Sequence, residues 1–333
     1  MTEMIPGIYQ LKIPIPNNPL GYTNSYLVRG DDGYTIIDPG MNNDVSFDAL
    51  QKELAEVGVA FTDITRIIGT HAHVDHYGLS GRVKKLSKAK ILAHHLVRDT
   101  IKTMSKRHQE RGQQMDEWLR LNGVPAFDNS ELHKRGPRER PRFPRPAVPD
   151  ILLQGGETIV IGSFRLKVLW TPGHDPGQIC LYEPTQKVLF SGDHVLPVTT
   201  PHVGLRNESS LNPLGDFLNS LNAVKELEAD LVLPGHEETF TNLRARVVGL
   251  IRHHHQRDTE ILEALKAEPK TAYQISTGIT WMPTQGGVKF SDLISWHQRM
   301  AVSETLAHLK PMDIEGRITK ISRDGIVYYQ HTC

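Results

Sequence analysis

The chain has 333 residues, 38% of them apolar, with 38 Lys and Arg set against 38 Asp and Glu for a formal net charge of zero. That length exceeds one average domain and the apolar share can fill a sizeable core, while the balanced charge leaves no global field to draw the protein to nucleic acid or to an anionic membrane. Two cysteines, Cys180 and Cys333, are too few for a disulfide framework or a thiolate zinc cage; with no basic-then-apolar leader and no 18-residue apolar run, a soluble, cytoplasmic protein is expected.

Residues 7–15, 24–28 and 34–37 read as short strands divided by Pro, Asn, Gly and Asp turn residues. An amphipathic helix over 44–57 follows, with Val45, Leu50, Leu54 and Val57 on its apolar face. The β-branched run 64–68 is a buried strand that stops at Gly69, after which Leu79, Val83 and Leu86 recur at helical spacing. Residues 90–93 form another strand. Between 96 and 150 the alternation breaks into an insertion, helical at first and then kept irregular by Pro137, Pro141, Pro144, Pro146 and Pro149. Strands over 158–161, 164–170, 179–183 and 187–190 make a second β run, able to face the first as a separate sheet. A helix over 214–227, a strand over 231–233 and a long helix from about 241 to 267 lead into a mostly helical tail. The domain boundary is placed near 250, giving a larger, mixed α/β domain over 1–250 and a smaller domain over 251–333. Helices over 272–277 and 295–309, then a hairpin of 317–321 with 326–330 turned by Asp324 and Gly325, are the order of a winged helix.

The strand over 64–68 delivers His71, His73, Asp75 and His76 within six residues, at a strand-to-helix turn. Three later strand ends match it: WTPGH closes on His174, FSGD on Asp193 and LPGH on His236. In each a glycine precedes the polar residue, so the chain can turn sharply and present the side chain at the sheet's edge. Five imidazoles and two carboxylates are donors enough for two borderline metal ions, with a carboxylate able to bridge them, and without soft ligands iron–sulfur and copper(I) are disfavoured. A lone HxH among 17 histidines would be incidental, but HxHxDH with three further Gly-His or Gly-Asp strand ends is not. His253 to His255, among Arg252, Gln256 and Arg257, read instead as a solvated helix face. His94 and His95 fit either reading, and His194 and His202 could approach a substrate. Asp38, in IIDPG, is a turn residue or, the preferred reading, an acceptor that orients a metal-bound imidazole.

HxHxDH with His174, Asp193 and His236 resembles the metallo-β-lactamase superfamily over about residues 4 to 250, and the order of elements looks like its four-layer αββα sandwich. The resemblance implies that His71, His73 and His174 bind a first divalent ion, that Asp75, His76 and His236 bind a second, and that Asp193 bridges them. Zinc is the first choice of metal, with manganese or iron as alternatives. True zinc β-lactamases generally carry a cysteine or another residue in part of the second position, and neither Cys180 nor Cys333 sits at such a place; the ligand set is instead similar to that of glyoxalase II. The tail resembles that of β-lactamase-like hydrolases with a C-terminal winged helix, through the long helix after PGH and the closing RITKISRDGIVYYQ. The 96–150 insertion departs from the glyoxalase pattern.

The expected chemistry is attack of a metal-bridging hydroxide on the carbonyl of an ester, thioester or lactone, with Asp75 orienting the nucleophile and passing a proton to the leaving group. The insertion fits two readings, a solvated, mobile loop or a lid, and the lid is the functional one. Its Lys134, Arg135, Arg138, Arg140, Arg142 and Arg145 would grip a carboxylate or phosphate, as on coenzyme A, a carrier arm or glutathione, while Met104, Met115, Trp118 and Leu119 could wall an acyl chain or simply pack a core. A tail covering the cleft or making a homodimer contact completes this reading. Two alternatives stand beside it: a nuclease or phosphodiesterase working through the same site, and a binding protein with a dead site, the weaker because no ligand is missing.

Overall fold

The computed structural model of the chain describes residues 1–106, 108–125, 146–205, 210–282 and 286–332. They form two compact units. The first draws on Met1–Lys106, Pro144–Pro201 and Asp216–Gly249, and the second on Arg107–Phe143, His202–Gly215 and Leu250–Cys333.

The first unit is built on two sheets. One runs in spatial order β1 (Thr2–Ile5), β2 (Ile8–Pro14), β3 (Tyr22–Arg29), β4 (Tyr34–Ile37), β5 (Ile64–Gly69), β6 (Lys90–His94) and β7 (Ile151–Leu153). Its first four strands are antiparallel neighbours, and β4 to β7 are parallel, so their carboxyl ends share one edge. The other sheet holds β8 (Thr158–Ile161), β9 (Phe164–Trp170), β10 (Ile179–Glu183), β11 (Val188–Gly192) and β12 (Leu231–Pro234), with β11 and β12 parallel. Period-two alternation sorts the apolar side chains of the first sheet into two layers. Leu11, Ile13, Leu27, Ile36 and Ile67 pack with Phe47, Leu50 and Leu54 of helix α1 (Asp44–Glu56). Tyr26, Val28, Ile37, Ile68 and Leu92 face Leu166, Val168, Ile179, Leu181 and Phe190 of the second sheet. Because β10 and β11 are buried at every position, their outer face is covered too, and the helix α6 (Pro213–Lys225) of the same unit buries Phe217, Leu221 and Val224. The result is a four-layer αββα sandwich.

Most expected elements form, with differences that have local causes. Val45 is 57% exposed rather than inward, because residues three and four before Leu50, Phe47 and Ser46, share its face of the helix and the residue five before it does not. The helix expected after the histidine motif begins inside it, as a single turn α2 (Val74–Tyr77) followed by α3 (Ser80–Ser87). The first half of the expected insertion is helical, as α4 (His95–Lys106) and α5 (His108–Leu121).

The second unit gathers α5, α7 (Leu243–Ala264, shared with the first unit), α8 (Ala272–Thr277), α9 (Ser295–Ile314), a two-stranded ladder of β13 (Thr280–Trp281) with β14 (Val288–Lys289), and the hairpin of β15 (Ile318–Arg323) with β16 (Ile326–His331). Asp324 and Gly325 turn that hairpin with φ of 50° and 74°, the two left-handed residues that a tight hairpin turn requires. Its core runs through Leu119, Val124, Ile261, Leu265, Ile275, Val302, Leu306 and Tyr329. Among the described residues no helix is long and apolar enough to cross a membrane.

Candidate metal centre

Five strands of the first unit end at one place. Asp38 follows β4, His71 follows β5, His174 stands four residues past β9, Asp193 follows β11, and His236 stands two residues past β12. Glycine is needed before the last three for two reasons: Gly173 and Gly192 have φ of 138° and 50°, while a Cβ on Gly235 would lie 2.3 Å from Asp193 Oδ1. That space belongs to the cluster.

Asp193 is its hub. One oxygen, Oδ2, lies 3.4 Å from His76 Nε2, 3.4 Å from His236 Nε2, 3.6 Å from His174 Nε2 and 3.9 Å from His71 Nε2. Asp75 Oδ2 stands 3.4 Å from His236 Nε2, and His73 Nδ1 meets His174 Nε2 at 3.1 Å. Ligand atoms converge within 4.8 Å of one another in His71, His73, His174 and Asp193, and again in Asp75, His76 and His236; Asp38, His71 and His76 form a third such group.

The far nitrogens of three rings fix which atoms face inward. Thr70 donates its backbone N–H to Asp38 Oδ1 at 2.8 Å and its hydroxyl to Asp38 Oδ2 at 2.6 Å, so that hydroxyl can only accept from His71 Nδ1, 3.0 Å away. His76 Nδ1 donates to Asp38 Oδ2 at 3.0 Å, and His236 Nδ1 to the carbonyl of Tyr22 at 2.9 Å. The Nε2 atoms of His76 and His236 therefore point lone pairs at each other across 3.0 Å, which only a shared proton or a metal ion relieves. His71 Nε2 and Asp193 Oδ1 are buried with no hydrogen-bond partner, two more donor atoms suited to a cation. The residues fit a metal.

The electrostatics follow from this crowding of charged groups. Burial opposes charge on Asp193, yet the His76 and His236 imidazoles beside it hold its carboxyl well below the usual range. Burial likewise opposes a charge on His236, but Asp193 and then Asp75 push its ring up to about 10, and His76 is raised above its ordinary value against the same burial by Asp193 and Asp75. His71 goes the other way, lowered first by burial and then by His76 and His73. Cys180, which burial pushes up to about 12, is no part of the cluster.

Other sequence candidates lie elsewhere. His202 sits in the second unit with Nε2 3.1 Å from the carbonyl of Met300. His194 is fully buried with its ring edge-on to Phe217, and burial lowers it to about 3. His94 stacks on Trp170 at 5.2 Å, with His95 beside it at 4.3 Å. The run 253–255 is not uniformly a solvated face: His254 is buried, 3.3 Å from His308, which meets Asp258 at 2.7 Å, because that side of α7 packs on α9. Arg138, Arg140 and Arg142 lie outside the described residues, as do Lys134, Arg135, Arg145 and the side chain of Met104.

Sequence reasoning missed the residues of β3 that hold the His236 loop. Asn24, fully buried, donates to the carbonyls of Pro234 and Glu237 at 3.0 and 2.7 Å and accepts from Gln10 at 2.9 Å, while Tyr26 donates to Pro234 O at 2.7 Å. Asn24 stands between Thr23 and Ser25, and three polar residues in a row read as solvent-facing, so nothing local marked it as buried.

Comparison with known proteins places the whole arrangement. The sequence profile of the metallo-beta-lactamase superfamily matches residues 18–236. The chain is 25% identical over 336 residues to a probable metallo-hydrolase, YqjP, of Bacillus subtilis, covering 97% of each. It is 29% identical over 233 residues to the human protein named acyl-coenzyme A thioesterase MBLAC2, covering 65% of this chain and 74% of that one. A crystal structure of a metallo-beta-lactamase family protein from Thermus thermophilus superposes with a TM-score of 0.81 at 30% identity, over 99% of this chain and 100% of the other. On this sequence, this fold and this cluster, the chain belongs to the metallo-β-lactamase superfamily.

Proposed function

We propose that the protein is a dinuclear metal-dependent hydrolase of acyl esters, thioesters or lactones. The observation that carries the reading is the position of Asp193 Oδ2, within 3.9 Å of four imidazole nitrogens and between the two converging ligand groups. His71, His73 and His174 would hold one ion, Asp75, His76 and His236 the other, and Asp193 both. Bound there, divalent ions supply a Lewis acid for the carbonyl and hydroxide at neutral pH, and zinc suits a set of imidazoles and carboxylates. Asp75 keeps 17% of its side chain exposed, more than Asp193, His71, His76, His174 or His236, so its carboxylate can orient the nucleophile and return a proton to the leaving group. The name borne by the human relative favours a thioester within this range, and an anionic carrier group such as coenzyme A would suit the arginines of the insertion. The tail, with its helices and closing hairpin, is read as winged-helix-like.

The test joins metal content to turnover. Elemental analysis of the purified chain should give two divalent ions, and the same sample should hydrolyse acyl-coenzyme A thioesters or lactones faster than a chromogenic β-lactam or bis(p-nitrophenyl) phosphate. Asp193→Ala should lose one ion and nearly all turnover. A metal-free chain, or one that cleaves only the phosphodiester, would overturn the assignment.

A further inference from the structure

His236 is followed by Glu237, which takes no part in the cluster and yet sits at φ 67°, a left-handed conformation that crowds the Cβ of a non-glycine residue against its own backbone. Strain of this kind persists only where the surroundings over-determine it. Its carbonyl is held by Asn24 Nδ2 at 2.7 Å, and its carboxylate reaches the loop that follows Asp193, accepting from Val198 N at 2.8 Å, from Thr199 N at 3.0 Å and from the Thr199 hydroxyl. Arg246, on α7, grips the same loop through its carbonyls: Nε donates to Leu196 O, and Nη2 to Val198 O at 3.0 Å and Thr199 O at 2.8 Å. Leu196 is buried at 3% exposure but Val198 is 51% exposed, so apolar burial anchors only the start of this segment and the two charged side chains hold the rest. At the base of the same two loops, Gly235 N donates to Gly192 O at 2.8 Å. The strand ends that carry Asp193 and His236 are thus tied before the two side chains and again after them.

We infer that Glu237 and Arg246 are positioning residues which, through the 196–199 loop, fix the separation of Asp193 from His236 and thereby the affinity of the second metal position. The inference rests on the reading of seven side chains as two metal positions. Neither residue touches a ligand atom. Each acts by holding the backbone that aims one, as groups outside a metal's ligands do when they set its affinity.

The experiment titrates metal-stripped protein with zinc against a chromophoric chelator, resolving the two equivalents, for the parent, Glu237→Gln, Arg246→Gln and the double variant. The second equivalent should weaken by roughly 10- to 100-fold in each single variant while the first stays within threefold. Because both residues brace one loop, the double variant should lose less than the product of the two. Arg244→Gln, an exposed neighbour paired with Glu226 at 3.5 Å, should leave both equivalents as in the parent. Circular dichroism in excess chelator keeps folding separate from metal affinity, and Arg246→Gln stands in should Glu237→Gln not fold. Parental binding of both equivalents in the folded variants, or equal weakening of both, would reject the inference. A parent that takes up fewer than two zinc ions would instead remove the two-position reading beneath it.

Discussion

Asp38 illustrates how far a metal centre extends beyond the atoms that touch metal. It is 2% exposed, stands at φ 52° and commits both oxygens to Thr70 and His76, so it fixes the tautomer of one ring directly and of His71 through the threonine hydroxyl. Asp38→Ala should leave His76 able to turn its proton inward, and zinc affinity should fall by roughly 10- to 100-fold in a chelator competition. Parental affinity would show the acid to be a turn residue only. The site was partly legible at this scale. An acid in IIDPG, directly after an apolar run, announces itself as a strand-end group. Asn24 does not, since its partner carbonyl at Pro234 is 210 residues away and no local pattern records a hydrogen bond over that distance. His76 and His236 show the same limit: the motif names both as donors, but the 3.0 Å approach of their Nε2 atoms arises only when β5 and β12 are brought to one edge.

The unit that repeats around the cluster is a strand ending in a turn, and glycine sets the sharpness of that turn. At Gly173 the backbone has φ 138°, and a Cβ would fall 2.4 Å from Phe217 Cβ and 2.5 Å from its Cα, inside the α6 layer. An alanine there must move a helix as well as adopt a conformation that L residues avoid, so Gly173→Ala should cost about 2 to 4 kcal/mol. Urea unfolding of the metal-free chain would measure it, and an unchanged midpoint would mean that the WTPGH turn has slack. The central strands were legible from β-branched alternation. The two edge strands of the first sheet were not, whereas those of the second, β8 and β12, were: β7 has three residues with Ile151 46% exposed, and β1 is four residues with none buried. Edge strands as short and exposed as these two bury too little to carry a pattern, and shortness at an edge is also how sheets avoid pairing with strangers. The turn α2 escaped notice because four residues are too few for any helical period to register.

Length alone suggested more than one compact unit, but not that the second would be assembled from separate stretches of chain. Residues 115–124 carry Met115, Trp118, Leu119 and Val124, an apolar set that suits the wall of an acyl site as well as it suits a core. Leu119 is 2% and Val124 4% exposed, packed with Ile261, Leu265, Ile275 and Leu306 of the C-terminal helices. Tyr273 N donates to Asn122 O at 3.2 Å, and a Cβ on Gly123 would lie 2.3 Å from the Thr271 hydroxyl. This matching of one apolar face to another, between segments far apart in the chain, leaves no trace in either segment's periodicity, which reports only that a face exists. Its consequence is testable on a chain ended after Gly249. Such a chain keeps all seven ligand positions in sequence but strips the cover from Leu119 and Val124, each forfeiting about 1.5 to 3 kcal/mol of burial. It should bind a hydrophobic dye and self-associate in gel filtration. A dye-silent monomer with parental turnover would mean that α5 finds its cover without the C-terminal helices, and that the shared core contributes nothing the first unit needs.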